Sequence, residues 1–214
     1  MEFPSSFYLL LPRLLLLYWL ICICFEQSTK VLILPEKQMK KLKNSELNRL
    51  SVDEFKKKKK LPILVVLDNI RSLNNIGSVF RTSDAFLIEK IYLCGITAKP
   101  PHKDIHKTAL GATESVSWTY VENTIDCITN LKGEGYECVA IEQTKNSVML
   151  DKFKQTKATK IAVVFGNEVK GVQQAVIDQC NACIEIPQLG TKHSLNVSVS
   201  AGIVLWNLYK TMLE

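Results

Sequence analysis

Residues 61–86, LPILVVLDNIRSLNNIGSVFRTSDAF, decide the fold class of this chain. The first seven are almost all apolar, which is typical of a strand that is buried on both faces. After a polar turn, apolar side chains recur at helical spacing from Asn75 to Phe86. A buried strand followed at once by an amphipathic helix predicts the first unit of an α/β fold.

The same alternation of apolar runs and helical patterns continues to the C-terminus. After the first strand at residues 61–67, strands are predicted at residues 90–94, 117–121, 138–142, 161–165 and 182–186. Helices are predicted at residues 75–86, 103–111, 124–132, 172–180 and 195–213. Apolar strands separated by helices predict a mostly parallel sheet with helices on both faces.

Chemically informative groups follow three of the predicted strands. DNIRSLNN comes after the first strand, GNEVKG after the fifth and PQLGTKHSLN after the sixth. Parallel α/β sheets bind ligands beyond the carboxyl ends of their strands, so we expect these groups to form the site. The turn after the first strand lacks the G-x-G-x-x-G pattern, and no P-loop is present, which argues against a dinucleotide-dependent dehydrogenase and a P-loop nucleotidase.

The length of the chain indicates how many domains it forms, and the distribution of charge identifies a basic segment before the first strand. At 214 residues and 47% hydrophobic composition, it suits one domain with an appendage. The formal charge is +6, and residues 39–60 alone carry nine Lys or Arg against three acids. This basic arm, which includes Lys56, Lys57, Lys58, Lys59 and Lys60, either contacts an anionic partner such as nucleic acid or is a solvated linker.

Residues 1–38 form a separate, strongly apolar extension. The run at residues 7–25 is interrupted by Pro12 and Arg13, so it is shorter than a full membrane span. Three interpretations remain open: an atypical membrane anchor, a degenerate signal, or upstream sequence translated from a misplaced start. We favour the third, because MKKLKNSELNRLSVDEF, from Met39, has the form of a natural protein beginning.

The cysteines predict neither disulfides nor a metal site. Of the seven cysteines, Cys180 and Cys183 have a metal-ligand spacing, but there is no second pair and the chain has only three histidines. We therefore expect reduced thiols and no bound metal.

The three post-strand groups resemble the signature motifs of the SpoU/TrmH family of SPOUT RNA methyltransferases. The first motif is matched by Asn75 and Arg81 in NNIGSVFRTSDAF, and the second by Glu168 in VVFGNEVKG. The third is matched by IPQLGTKHSLNVSVSAG, with the four family positions occupied by Ile186, Ser194, Leu195 and Asn196. The resemblance runs from about residue 61 to the C-terminus.

The resemblance implies an activity and a fold that periodicity does not show. The family transfers a methyl group from S-adenosylmethionine to a ribose 2'-hydroxyl, and its domain, here residues 61–214, carries a C-terminal trefoil knot. It also implies a homodimer, a tRNA or rRNA substrate and a cytoplasmic location. The rival hypotheses are a knotted protein that binds RNA without catalysis, and a membrane-tethered interaction module that uses the apolar N-terminus.

Residue roles follow from the same resemblance. Arg81 is implied as the catalytic arginine, with four residues that order the ribose, the donor and one another: Asn75, Glu168, Ser194 and Asn196. Main-chain groups around Gln143, Gly166, Ile186 and Leu195 are implied to hold the donor.

Structural alternatives remain open for several of these residues. Glu168 could instead cap a following helix, and Ser194 and Asn196 could cap the last one. Gly77, one turn before Arg81, leaves room either for a nucleotide or for close helix–sheet packing.

Overall fold

The computed structural model describes residues 39–154 and 159–213. The chain divides into two units, residues 1–48 and 49–214. The described part of the first unit contains one 3-10 turn, Asn44–Glu46. The apolar run at residues 7–25 lies outside the described residues, and the predicted arm of residues 39–60 straddles the division between the units.

The second unit alternates strands and helices as predicted. Its helices are α1 (Val52–Lys57), α2 (Leu73–Ala85), α3 (Lys103–Ala109), α4 (Ala112–Ser115), α5 (Thr124–Gly133), α6 (Gln174–Ile177) and α7 (Val197–Leu213). Its strands are β1 (Leu61–Asp68), β2 (Ile88–Cys94), β3 (Ser117–Val121), β4 (Glu137–Ile141), β5 (Val148–Met149), β6 (Ile161–Phe165) and β7 (Ala182–Glu185).

All seven strands form one parallel sheet in the order β3-β2-β1-β6-β4-β7-β5. Strands β1 and β6 lie side by side at its centre, with Val65 paired to Val163 and Leu67 to Phe165. Their carboxyl ends bring the loops after Asp68 and after Phe165 together. The trefoil knot implied by the resemblance is characteristic of this fold and stays a prediction for the chain.

The two faces of the sheet have separate cores. Along β1, Ile63, Val65 and Leu67 pack on one face with α2, α3 and α7, whereas Leu64 and Val66 pack on the other with α5 and α6. Successive side chains of a strand point to opposite faces of the sheet, and because this strand is apolar almost throughout, it contributes to the core on both faces. The prediction of helices on both faces is confirmed.

One predicted helix is much shorter in the structure, and one short strand of the structure was not predicted. The helix expected at residues 172–180 is reduced to α6 (Gln174–Ile177). After it, the Gln179 and Cys180 amides bond to the carbonyls three residues before them, at Val176 and Ile177, so the four-residue spacing of an α-helix is not continued. The strand β5 (Val148–Met149) was not predicted, since two residues carry no periodicity.

The basic arm enters the core of the second unit through α1. Ser51 caps this helix by accepting from the Glu54 amide at 3.3 Å, and Phe55 is buried in the core on the α2 face. No helix in the part of the chain that the structure describes is long and apolar enough to span a membrane.

Candidate active site

The loop after β6 is a tight turn that presents Glu168. Asn167 and Gly171 exchange two main-chain hydrogen bonds of 3.0 and 2.8 Å across the turn. The Asn167 side chain accepts from the amides of Val169 and Lys170 at 2.9 and 3.1 Å. Gly171 has a φ of +68°, a conformation that favours glycine. The turn is therefore held in one shape before any ligand arrives.

The Glu168 carboxylate joins this turn to the loop after β1. It accepts from the main-chain amides of Arg71 and Ser72, both at 3.0 Å, and from the Asn75 side chain at 2.9 Å. Partial burial raises the pKa of Glu168, but these three donors outweigh that effect and leave its pKa below the ordinary value. Glu168 is therefore ionised at neutral pH.

Asn75 links the first motif to the third. While its amide nitrogen donates to Glu168, its oxygen accepts from the Asn196 side chain at 3.1 Å. The Asn196 oxygen in turn accepts from the amide and hydroxyl of Ser198, at 2.9 and 2.6 Å. A continuous hydrogen-bonded chain thus runs from Glu168 through Asn75 to Asn196, and it joins all three predicted motifs.

A cavity of about 710 Å³ opens beside this chain, at the carboxyl ends of β4, β6 and β7. Its walls include every predicted donor-binding residue and three of the predicted catalytic ones: Gln143, Gly166, Ile186, Leu195, Glu168, Ser194 and Asn196. The Gln143 side chain donates to the His193 carbonyl at 2.8 Å, which ties the loop after β4 to the loop after β7.

Main-chain groups in this cavity are available to a ligand. Gly166, Ile186 and Leu195 lie outside the strands and helices, and their main-chain groups make no hydrogen bond with the described residues. The volume is within the range of about 300–1,000 Å³ that small-molecule sites occupy. Apolar side chains such as Phe165 and Val197 alternate with polar ones around it, so the cavity suits a molecule with both an aromatic ring and charged groups.

Two structural residues of the site were missed from sequence. Asn167 donates to the Asn69 carbonyl at 2.7 Å, which fastens the β6 turn to the β1 loop. Glu142 accepts from the Val172 amide at 3.0 Å. Both are polar residues at or just after the end of an apolar strand, and that position is the signal that could have identified them.

Arg81 stands apart from the donor cavity. It lies on α2 six residues after Asn75, about 9 Å further along the helix axis. Its side chain is exposed, makes no hydrogen bond or ion pair with the described residues, and is not among those that line the cavity. The guanidinium is therefore available to an external group such as a phosphate.

The first turn of α7 distinguishes Ser194 from Asn196. Asn196 caps the helix, accepting from the Val199 amide at 3.4 Å as well as from Ser198. Ser194 is exposed, two residues earlier, and makes no hydrogen bond with the described part of the chain. The expectation that both residues act as caps is correct for Asn196 alone.

Gly77 is explained by packing between two helices. A Cβ at this position would lie 2.1 Å from the Thr108 hydroxyl oxygen and 2.3 Å from the Ile105 carbonyl oxygen, both of α3. The space beside Gly77 is thus filled by protein, so the interpretation that it admits a nucleotide is wrong. The packing alternative holds, but the partner is a helix rather than the sheet.

The five consecutive lysines of the arm, at residues 56–60, fall into two groups. Lys56, Lys57, Lys58 and Lys59 are exposed. Lys60 is half-buried: its ammonium donates to the Phe55 and Lys58 carbonyls and lies 4.1 Å from the centre of the Phe55 ring. Burial lowers the pKa of Lys60, against the opposing field of Asp84. Lys60 therefore has a local structural role.

Comparison with known proteins places this site in a family. Residues 62–206 match the model of the SpoU rRNA Methylase family. The chain belongs to this family. Within the described residues, no group of three or more His, Cys, Asp or Glu side chains is placed to hold a metal ion.

Several relatives of this SpoU-family chain carry informative names. It is 30% identical to a tRNA (guanosine(18)-2'-O)-methyltransferase of Aquifex aeolicus, over 84% of this chain and 79% of that one. It is 31% identical to a 23S rRNA (guanosine-2'-O-)-methyltransferase of Neisseria meningitidis, over 67% and 56% of the two chains. A TrmH family tRNA/rRNA methyltransferase of Staphylococcus haemolyticus is 28% identical, and the match spans only 63% of its length.

Solved structures show the same fold. The A. aeolicus TrmH/SpoU tRNA modifying enzyme superposes with a TM-score of 0.66 at 25% identity, over 75% of this chain and 81% of that one. An AdoMet-bound rRNA methyltransferase of Sinorhizobium meliloti superposes with a TM-score of 0.67 at 26% identity, over 73% and 59%. The SPOUT-type α/β fold predicted from sequence is confirmed.

Proposed function

We propose that this protein transfers a methyl group from S-adenosylmethionine to a ribose 2'-hydroxyl of tRNA or rRNA. The observation that carries the proposal is the hydrogen-bonded chain from Glu168 through Asn75 to Asn196. It joins the three motifs of the SpoU family at the edge of a cavity suited to a small-molecule donor. The names of the A. aeolicus and N. meningitidis relatives support the choice of the 2'-oxygen.

The donor is assigned to the 710 Å³ cavity. Gly166, Ile186 and Leu195 would hold it through their free main-chain groups, and Gln143 would hold the wall against which it rests. When bound, it supplies a methyl group that is already activated by a sulfonium centre. The protein must then orient the ribose 2'-oxygen toward that methyl group and assist the removal of the hydroxyl proton.

Glu168 supplies fixed negative charge at the cavity wall. Its three hydrogen-bond donors hold the carboxylate ionised and oriented, and a carboxylate there favours a cationic donor. Through their hydrogen bonds, Asn75 and Asn196 connect that carboxylate to the start of α7. They act as positioning residues around the donor.

Arg81 is assigned to the RNA. Its planar guanidinium can bind a phosphate, orient the neighbouring hydroxyl and stabilise an alkoxide as it develops. Arg81→Ala should abolish methyl transfer while donor affinity stays unchanged, because Arg81 lies outside the donor cavity. Arg81→Lys should not restore transfer, since a point charge does not reproduce the bidentate fork.

The basic arm is assigned to RNA phosphates as well. The contacts are assigned to Lys56, Lys57, Lys58 and Lys59, which are exposed. Because the donor and RNA are intracellular, we also place the protein in the cytoplasm.

A homodimer is the proposed assembly. Val199, Ile203 and Trp206 form an exposed apolar stripe along α7, with Val199 50% and Trp206 53% exposed. Trp206 stacks with Tyr209 and lies 5.8 Å, centre to centre, from Phe86. An apolar face of this kind suits contact with a second copy. Trp206→Glu should lower the mass measured by sedimentation toward that of one chain; an unchanged mass would remove this surface from the interface.

The test of the activity is incorporation of labelled methyl from S-adenosylmethionine into unmodified tRNA and rRNA transcripts. We expect incorporation with the full chain and none with Arg81→Ala. The binding-only hypothesis predicts RNA binding by both proteins and no incorporation by either, and that result would overturn the proposal.

A further inference from the structure

A second crevice, of about 640 Å³, lies on the other side of the turn that carries Glu168. It is built at the carboxyl ends of β1, β2 and β3 and against the start of α5. Apart from the residues of this turn, the residues that line the crevice lie outside the segments quoted for the three family motifs.

The turn at residues 167–171 separates the crevice from the donor cavity. Four of its residues line both spaces: Asn167, Val169, Lys170 and Gly171. An RNA strand that presents one ribose at the mouth of the donor cavity can therefore place a neighbouring nucleotide in the crevice by crossing a single turn.

The walls of the crevice are held by a buried carboxylate. Asp68 is fully buried and accepts from the Thr124 hydroxyl at 2.6 Å and from the Gln173 amide and side chain, at 3.2 and 3.1 Å. Thr124 and Gln173 both line the crevice. Because they come from α5 and from the segment before α6, this one side chain holds two parts of the wall together, and the shape exists without a ligand.

Two cationic side chains of the crevice are available to a ligand. Arg71 and Lys170 line it, and neither side chain makes a hydrogen bond or ion pair with the described residues. The Arg71 main-chain amide is already bound to Glu168, which fixes the backbone from which the guanidinium extends. Glu122 is the carboxylate among the lining residues.

The rim of the crevice is apolar and exposed. Ile96 is 66% exposed and Val169 is 76% exposed, and both line the space. Exposed branched side chains beside free cations suit a ligand that has a flat face and an anionic backbone.

We propose that this crevice binds a nucleotide of the RNA substrate that adjoins the methylated one. Its phosphate contacts Arg71 and Lys170, its base lies on Ile96 and Val169, and Glu122 accepts from a base amino group or a ribose hydroxyl. The inference rests on the proposed function, and it assigns Arg71 and Lys170 as RNA-binding residues in addition to the basic arm.

The test measures how RNA binding depends on salt. The probe is a fluorescently labelled oligouridylate, bound to the full chain and followed by anisotropy across a salt series. Arg71→Ala and Lys170→Ala should each lower the slope of log affinity against log salt by roughly 0.7, the value for one phosphate contact on a single strand. Arg71→Lys keeps the charge and should retain the wild-type slope.

The matched control is Lys152→Ala, which removes one exposed positive charge that lines neither the crevice nor the donor cavity. It should leave the slope unchanged. Slopes for Arg71→Ala and Lys170→Ala equal to that of Lys152→Ala would overturn the proposal. If the wild-type chain bound and methylated RNA in that case, the proposed function would stand and only the crevice would fail.

Photocross-linking gives an independent result. With 4-thiouridine in the oligomer, we expect cross-linked peptides that contain Ile96 or Val169, and these should disappear on competition with unlabelled RNA. Cross-links confined to the arm around Lys56 and Lys59 would contradict the assignment.

Discussion

Asn75 donates its side-chain amide to the Glu168 carboxylate at 2.9 Å, across a separation of 93 residues in sequence. Each residue is held by further bonds: Glu168 by the Arg71 and Ser72 amides, and Asn75 by Asn196. Together, the bonds of Asn75 to Glu168 and to Asn196 make one site out of motifs that follow three different strands.

The ionisation of Glu168 should contribute to stability in a pH-dependent way. A carboxyl group whose pKa is lower in the folded than in the unfolded chain stabilises the fold above its unfolded pKa of about 4.3. That contribution disappears as pH falls through the folded value. Glu168→Gln should therefore lower the urea midpoint at pH 7, and the difference from wild type should shrink below about pH 4.

Asp151→Asn is the matched control for Glu168→Gln, because it makes the same change at an exposed position. It should leave the midpoint unchanged at both pH values. A deficit for Glu168→Gln that is equal at pH 7 and at about pH 3 would show that ionisation is not responsible.

The two roles of Asn196 can be separated by substitution. Asn196→Asp keeps the oxygen that caps α7 but removes the donor to Asn75. We expect its stability to stay within about 0.5 kcal/mol of wild type, while methyl transfer falls. Asn196→Ala loses the cap as well and should be destabilised by about 0.5–2 kcal/mol. Full activity in Asn196→Asp would contradict the positioning role.

The close packing at Gly77 predicts opposite outcomes for two glycine substitutions. Gly77→Ala should destabilise the protein by about 1–3 kcal/mol, because the new Cβ overlaps Thr108 and the Ile105 carbonyl. Gly202→Ala, within α7, meets no atom within 4 Å and should stabilise by about 0.5–1 kcal/mol. Urea unfolding of both variants tests the pair, and a Gly77→Ala protein as stable as Gly202→Ala would refute the packing account.

The exposed lysines of the arm should affect RNA binding, whereas Lys60 should affect stability. We replace Lys56, Lys57, Lys58 and Lys59 by alanine. The slope of log RNA affinity against log salt concentration should then become shallower by roughly 0.7–0.9 for each RNA phosphate that the arm no longer neutralises. Lys60→Ala should mainly lower stability, because the Lys60 ammonium holds the end of α1. An unchanged slope in the quadruple variant would return the arm to the role of a solvated linker.

Sequence patterns predicted the sheet well because its central strands, β1 and β6, are apolar almost throughout. Strands β1, β3, β6 and β7 have the predicted starts, and only the two-residue β5 was missed. Helix α6 was overestimated because residues 172–180 keep a helical pattern of apolar side chains, although the Gln179 and Cys180 amides bond to carbonyls three residues back rather than four.

The order of the three motifs along the sequence predicted which residues form the site. It did not predict the hydrogen bonds between them. Neither composition nor spacing shows that Asn75 bonds to both Glu168 and Asn196, since those bonds depend on which strands are neighbours. Gly77 illustrates the same limit: a glycine near Arg81 suggested access for a ligand, whereas the packing of α3 explains it.

The position of the transferred methyl group tests the proposed ribose 2'-O-methylation. After incubation of RNA with the full chain and trideuteromethyl-labelled S-adenosylmethionine, the RNA is digested to nucleosides and analysed by mass spectrometry. We expect a nucleoside whose label remains with the ribose when the base is cleaved, and no label in a deoxyribose oligomer, which lacks the 2'-hydroxyl. Label on a base atom, or equal labelling of the deoxyribose oligomer, would contradict the proposed ribose 2'-O-methylation.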